Sequence, residues 1–195
     1  MLSQKLITAV VRADPVPSGI YQLELALRGS EPRIWRRILV PVEFSLGHLH
    51  TVLQIAMGWN RAHLYEFVIG PAHYADKHST HMKLGNVAAA GVCFTYRYDF
   101  GDDWEHDVTV ERVLSAEAGV LYPVCVAGDG DCPPEDCGGV ERYVRLLAGP
   151  TPPTSIEPRG TQGHAVATES VPFCLEDVNQ ALWRWIAESR PRRSS

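Results

Sequence analysis

The stretch Val92-Cys93-Phe94-Thr95-Tyr96-Arg97-Tyr98-Asp99, followed by Phe100-Gly101-Asp102-Asp103 and then Trp104-Glu105-His106-Asp107-Val108-Thr109-Val110, decides the fold class. On its first arm Phe94, Tyr96 and Tyr98 alternate with Thr95, Arg97 and Asp99. On the second, Trp104, His106, Val108 and Val110 alternate with Glu105, Asp107, Thr109 and Glu111. A period of two sends successive side chains to opposite faces, so each arm is a half-buried strand. Gly101-Asp102 supplies the turn, and the two arms make an antiparallel hairpin.

The same reading extends outward in both directions. Tyr21, Leu23, Leu25 and Leu27 alternate with Gln22, Glu24, Ala26 and Arg28, and after the turn at Gly29-Ser30-Glu31-Pro32 a β-branched and aromatic run returns from Ile34 to Val40, giving a second hairpin. The period then changes. Ser45 is suited to cap a helix whose Leu46, Leu49, Leu53 and Ala56 share a face, with a stop near Gly58. His63 to Ile69 reads as a further strand, residues 71–91 as a loop with one helical turn, and residues 122–139 as a loop rich in Cys, Pro and Gly. A short helix is expected over 140–147. A longer one over 176–189 has Val178, Ala181, Leu182, Trp185 and Ile186 as its apolar stripe. Strands grouped without regular βαβ alternation predict an α+β fold with a mainly antiparallel sheet of about five strands covered by helices, in a single domain. Within it, residues 1–18 read as an N-terminal arm, 19–148 as the core and 149–171 as a proline-rich surface linker. Residues 172–195 read as a C-terminal helix packing on the core, with a basic tail of Arg190, Arg192 and Arg193.

With 195 residues, 45% hydrophobic and 21% charged, the chain has the composition of an ordinary globular domain, which excludes collagen-like, coiled-coil and wholly disordered classes. Its apolar runs are shorter than the roughly 20 residues of a membrane span, so no membrane partner is expected. Leu6 to Val11 is too short for a signal-peptide core, and a cytoplasmic location is the expectation. The net charge of −5 argues against tight, specific binding of nucleic acid. Arg28, Arg33, Arg36 and Arg37 gather in sequence and read as a solvated strand edge. The five cysteines are an odd number, which favours thiols or metal ligation over a disulfide framework.

Three motifs carry a resemblance. They are Pro32-x-Ile34-Trp35-Arg36-Arg37 with Leu49-His50 and Gly58-Trp59 after it; Tyr98-Asp99-Phe100-Gly101-Asp102-Asp103-Trp104-Glu105-His106; and Cys125-x6-Cys132-Pro133-Pro134-Glu135-Asp136-Cys137-Gly138-Gly139. Together they resemble the plasmid pRiA4b ORF-3-like family, also labelled the insertion-sequence passenger TnpR family, from about Tyr21 to Leu147 with a weaker echo from Phe173 to Leu182. The resemblance implies an association with plasmids and mobile elements. Where the family usually continues from the Cys loop into Gly-Tyr, this chain has Glu141-Arg142-Tyr143. The TnpR label suggests a DNA resolvase, and the residues speak against it. None of the eight histidines is followed three positions on by Arg, as a tyrosine recombinase needs, and Ser3, Ser18 and Ser30 lack the basic setting of a serine resolvase.

Three constellations could carry chemistry. Cys125, Cys132 and Cys137 could ligate zinc, with His106, Asp136 or Cys93 as a fourth ligand, although their spacing is not the C-x2-C of standard zinc sites; equally, they suit a tight loop with small buried thiols. Asp99 and Asp102, with His106 nearby, could hold magnesium or manganese at the hairpin tip, or serve as ordinary turn aspartates. His50 and His63, near Trp35 and Trp59 in sequence, could line a pocket or bond across a helix–strand junction. The leading expectation is a non-catalytic binding or accessory module for a protein or small-molecule partner. Its surface would be built from Asp99, Asp102, Trp104, His106, Glu135, Asp136, His50 and His63. The alternative is a metal-dependent hydrolase or nuclease using the hairpin and the Cys loop. Those two motifs are expected to meet in space, with Asp136 or a loop carbonyl bonded to His106.

Overall fold

The computed structural model describes residues 19–149 and 170–189. The expected N-terminal arm, most of the linker and the basic tail therefore lie outside the described residues. In chain order the elements are β1 (Ile20–Leu27), β2 (Trp35–Pro41), α1 (Leu46–Met57), β3 (Tyr65–Ile69), β4 (Ala72–Ala75), α2 (Asp76–Ser79), α3 (Leu84–Val87), β5 (Cys93–Tyr98), β6 (Trp104–Leu114), β7 (Val124–Asp129), α4 (Gly139–Leu147) and α5 (Leu175–Ser189). The strands form one sheet in the order β4-β3-β5-β6-β1-β2-β7, and each neighbouring pair is antiparallel. This is the expected α+β class with seven strands instead of about five. The two extra strands arise where local pattern is weak. β4 is a short edge strand with no buried residue, held by backbone pairing to β3. β7 lies inside the stretch read as a Cys loop, where Gly128 breaks any apolar alternation.

Gly128 is there because space is short. A Cβ would lie 2.7 Å from the Phe173 ring, 2.9 Å from Arg36 Cδ and 2.9 Å from the Trp35 carbonyl. The free edge of β7 is covered from α5: Asn179 accepts the Cys125 N–H at 2.8 Å and donates to the Cys125 carbonyl at 2.9 Å, so the last strand does not expose a full row of unpaired backbone groups.

Alternation gives the sheet two unlike faces. Leu23, Leu25, Ile38, Phe67, Phe94, Tyr96, Trp104, Val108 and Val110 are fully or nearly fully buried, and they share one core with Leu46, Leu49, Val52, Leu53 and Ala56 of α1 and with Leu182 of α5. Ser45 accepts the His48 N–H at 3.1 Å at the start of α1, and the helix closes at Gly58, as expected. The opposite face is a lattice of cross-strand ion pairs. Arg37 meets Glu111 at 2.6 Å and Glu24 at 3.1 Å; Arg97 meets Glu66 at 2.9 Å and Asp103 at 2.7 Å; Arg28 pairs with Glu105 and Asp107.

Arg36 departs from the solvated strand edge expected of its cluster. Alternation turns it to the core side, where it is 1% exposed. Its guanidinium donates to the carbonyls of Ala56 (2.9 Å), Trp35 (2.8 Å), Asp129 (2.8 Å) and Gly130 (3.0 Å), and it lies 4.0 Å from the centre of the Phe173 ring. Burial lowers its pKa, and four carbonyl dipoles replace the water it loses.

Candidate functional site

Three segments far apart in sequence converge at one end of the sheet: the loop from Gly58 to Leu64, the β5–β6 turn, and the Cys loop around Glu135-Asp136-Cys137. Backbone geometry already marks the place. Arg61 (φ 62°) in the first segment, Asp99 (φ 55°) and Asp103 (φ 54°) in the second and Asp136 (φ 58°) in the third adopt the left-handed conformation that non-glycine residues rarely take. The turn and the Cys loop touch directly. Asp102 accepts the Gly138 N–H at 2.8 Å, and a Cβ on Gly139 would lie 2.6 Å from the Asp102 carbonyl, so only glycine fits there. Glu135 ties the Cys loop to the other two elements, accepting the Tyr98 hydroxyl at 2.5 Å and the Asn60 N–H at 3.0 Å. Burial and the Glu135 carboxylate both raise the Tyr98 pKa, which keeps the phenol protonated as the donor.

At the junction His63 Nε2 stands 3.3 Å from Asp136 and 3.7 Å from Asp99. Asp99 is 7% exposed and also accepts the Gly101 N–H at 2.9 Å. Ligand atoms of His63, Asp99 and Asp136 all lie within 4.8 Å of one another, which makes this the group of the described residues that could hold a metal ion; an imidazole and two hard carboxylates suit a divalent cation.

Beside it opens a groove of about 630 Å³ between the start of α1, the Gly58–Leu64 loop and β3, lined by His48, His50, His63 and Arg61 among others. His50 is 8% exposed, lies 3.6 Å from Tyr65 in a parallel stack, and is bonded through Nδ1 to the Tyr96 hydroxyl at 2.7 Å. Its pKa falls to about 3, from burial first and from nearby Arg61 second, so the ring is neutral near pH 7.

The expected residues divide. His50, His63, Asp99, Asp102, Glu135 and Asp136 all lie in or against this convergence. Trp104 and His106 do not form surface: both are fully buried. His106 meets the Tyr96 carbonyl through Nδ1 at 3.3 Å and packs its edge on Trp59 with 5.4 Å between ring centres. Burial holds its pKa at about 4. The expected meeting of hairpin and Cys loop occurs, but through other partners. Asp136 goes to His63, and the loop carbonyl of Pro133 accepts the Trp59 indole N–H at 2.9 Å, leaving His106 Nε2 and Trp104 Nε1 without hydrogen-bond partners among the described residues. The reason is steric: His106 points under Trp59, which lies between it and the loop.

The expected zinc set does not assemble. Cys125 belongs to β7, opposite Ile38, and its thiol donates to the Ala127 carbonyl at 3.4 Å; Cys132 is bonded to the Pro133 carbonyl at 3.5 Å. Neither thiol forms, with Cys137 or His106, a group of convergent ligand atoms among the described residues. Burial pushes the Cys125 thiol up to about 11 and raises Cys132 and Cys137 as well, against the deprotonation that metal binding requires. Cys93 is exposed at the start of β5, and Trp35 sits on the charged sheet face beside Arg33 and Arg37, away from the groove. The sequence reading missed Gln54, Asn60, Arg61, Tyr96 and Tyr98 as site residues. Gln54 lies one turn after His50, on the flank of the α1 stripe, and it is buried through its bonds to Tyr96 and to the Arg61 N–H, which the spacing of residues does not reveal.

A seven-stranded antiparallel sheet with helices packed on its core face and a histidine-lined groove at one end makes this an α+β protein with a concave polar surface. The chain belongs to the plasmid pRiA4b ORF-3-like protein family, which matches residues 19–184. It is 34% identical over 147 residues to the uncharacterised protein y4hQ of Sinorhizobium fredii, covering 68% of this chain and 75% of that one. It is also similar to the crystal structure of a protein of unknown function from Methanosarcina mazei Go1, with a TM-score of 0.63 at 34% identity over 68% of this chain and 81% of the other. Among the described residues no helix is long and apolar enough to cross a membrane.

Proposed function

We propose that the protein is a binding module, an accessory protein of plasmids and mobile elements that takes a small molecule in the groove beside His63. The observation that carries this reading is the convergence of three sequence-distant segments on a concave polar site, with left-handed non-glycine backbone in each: Arg61 in the first, Asp99 and Asp103 in the second, Asp136 in the third. Left-handed backbone costs on the order of 1–3 kcal/mol per residue and persists where the surroundings over-determine it, which is commonest at ligand sites. The neutral imidazoles of His50 and His106 serve hydrogen bonding and packing in this reading, not proton transfer. A cytoplasmic location fits it too, since all five cysteines are free thiols, as in a reducing compartment.

A thermal-shift screen of metabolites, nucleotides and divalent cations, run on the full chain and on His63→Ala and Asp99→Asn, tests the proposal. At least one compound should raise the midpoint of the parent protein, lose that effect in both variants, and be recovered unchanged by mass spectrometry. A stabilising compound that is consumed, above all a phosphodiester in the presence of manganese or zinc, would replace the binding module with the metal-dependent hydrolase that the His63, Asp99 and Asp136 group also suits. Stabilisation that survives both substitutions would place the site elsewhere.

A further inference from the structure

The chemistry of the groove narrows its ligand. Its lining among the described residues contains hydroxyls, an amide, imidazoles and the Arg61 guanidinium, and no carboxylate. Asp99 and Asp136 meet His63 but do not line the groove. The arginines of the sheet face are tied to acids, whereas the Arg61 guanidinium has no hydrogen bond or ion pair among the described residues. Gly47 and His48, in the first turn of the 12-residue α1, bring the positive end of a helix dipole to the same wall.

An independent observation comes from a chain of hydrogen bonds that fixes the tautomer of His50. The Arg61 backbone N–H donates to Gln54 Oε1 at 3.1 Å, which orients the amide so that Nε2 donates to the Tyr96 hydroxyl at 2.9 Å. Tyr96, having accepted that bond, gives its own proton to His50 Nδ1 at 2.7 Å. The proton of the neutral ring is then on Nε2, which has no partner among the described residues. Nδ1 is turned to the sheet, and the stack on Tyr65 prevents the ring from rotating freely. His50 therefore presents a fixed N–H to the groove it lines, and one backbone amide, that of Arg61, begins the relay that sets it.

We propose that the groove binds a small molecule by an oxyanion group, phosphate or carboxylate, with Arg61 pairing its charge and His50 Nε2–H donating to it. This rests on the binding-module reading and names its ligand class. A preorganised neutral donor beside a cation suits an anionic oxygen, because charge-assisted bonds are the strong ones and the His50 ring needs no reorientation to donate.

The test is a ¹H–¹⁵N titration of the full chain, in a buffer free of both ions, with inorganic phosphate and separately with acetate. Saturable shifts are expected at the His50 ring and the Arg61 amide. Arg61→Asn, which suits left-handed backbone, should weaken binding by about tenfold or more without moving the thermal midpoint. His50→Phe keeps the stack and should also weaken it. Saturation by phosphate alone identifies a phosphorylated ligand, and saturation by acetate alone or by both identifies a carboxylate or a general oxyanion site. The inference is overturned by shifts that do not saturate, by shifts spread over the charged sheet face, or by affinity unchanged in Arg61→Asn. If the screen then returns a cation or a neutral compound dependent on His63, the binding module stands and only the ligand class fails; if it returns nothing, both fail.

Discussion

His50 and His106 show how burial governs single side chains here. Each imidazole is held neutral in the folded chain, with pKa values of about 3 and about 4, while the unfolded chain protonates near 6.5. The unfolded state thus binds protons that the folded state refuses, so the stability they contribute is complete above pH 6.5 and is lost as pH falls toward 4. At one pKa unit per ~1.4 kcal/mol, the loss is on the order of 3 kcal/mol for His106 alone. Urea denaturation from pH 7 to pH 5 should show a decline, and His106→Leu should reduce its slope, leaving the share that belongs to His50. Glu66 and Glu111, whose pKa values are lowered mainly by hydrogen bonds to His73 and Arg37 respectively, add their own losses below the usual carboxylate range, so the histidine effect is read above it. An undiminished slope in His106→Leu would show that His106 is already charged or open to water.

The elements differ in how much their ends and edges matter. Ser45 caps α1 through one hydrogen bond, and Ser45→Ala should cost about 1 kcal/mol. Gly128 of β7 should be far less tolerant, although alanine is the smaller change on paper. Its Cβ would press on the Phe173 ring, on Arg36 and on the Trp35 carbonyl, joining the edge strand, the buried arginine and the segment leading into α5. Overpacking of this kind costs about 1–3 kcal/mol, with more where backbone must move. Equilibrium denaturation should rank Gly128→Ala well below Ser45→Ala, and the reverse order would mean that β7 shifts freely. The elements themselves were largely legible. The strands around Leu23, Phe94 and Val108 and the helices after Ser45 and Leu175 follow from period-two and period-3.6 patterns. β4 and β7 were not legible, because one has no buried residue and the other is interrupted by the glycine its neighbours require.

For the whole molecule, the charged sheet face decides what the protein should avoid. Arg28, Arg33, Arg37 and Arg97 are matched there by Glu24, Glu66, Asp103, Glu105, Asp107 and Glu111, so the arginines offer phosphates little unpaired charge. With a net charge of −5 and few counterions to release, duplex DNA should bind weakly and without sequence preference at ~150 mM salt. Fluorescence anisotropy measures this directly. Tight, specific binding in that range would revive the resolvase that the TnpR label suggests.

The sequence by itself determined the α+β class, the two principal hairpins, the helix caps and the family, because each rests on local periodicity or on a contiguous motif. It also named His50, His63, Asp99 and Asp136, which the fold brings to one end of the sheet. Their pairing was decided only by tertiary structure. That Asp136 would reach His63 instead of His106, that Cys125 would join a strand, and that Arg36 would bury its charge among four carbonyls depends on where loops pass one another in space. A ring such as Trp59, placed between His106 and the Cys loop, redirects a hydrogen bond without leaving any trace in the spacing of residues.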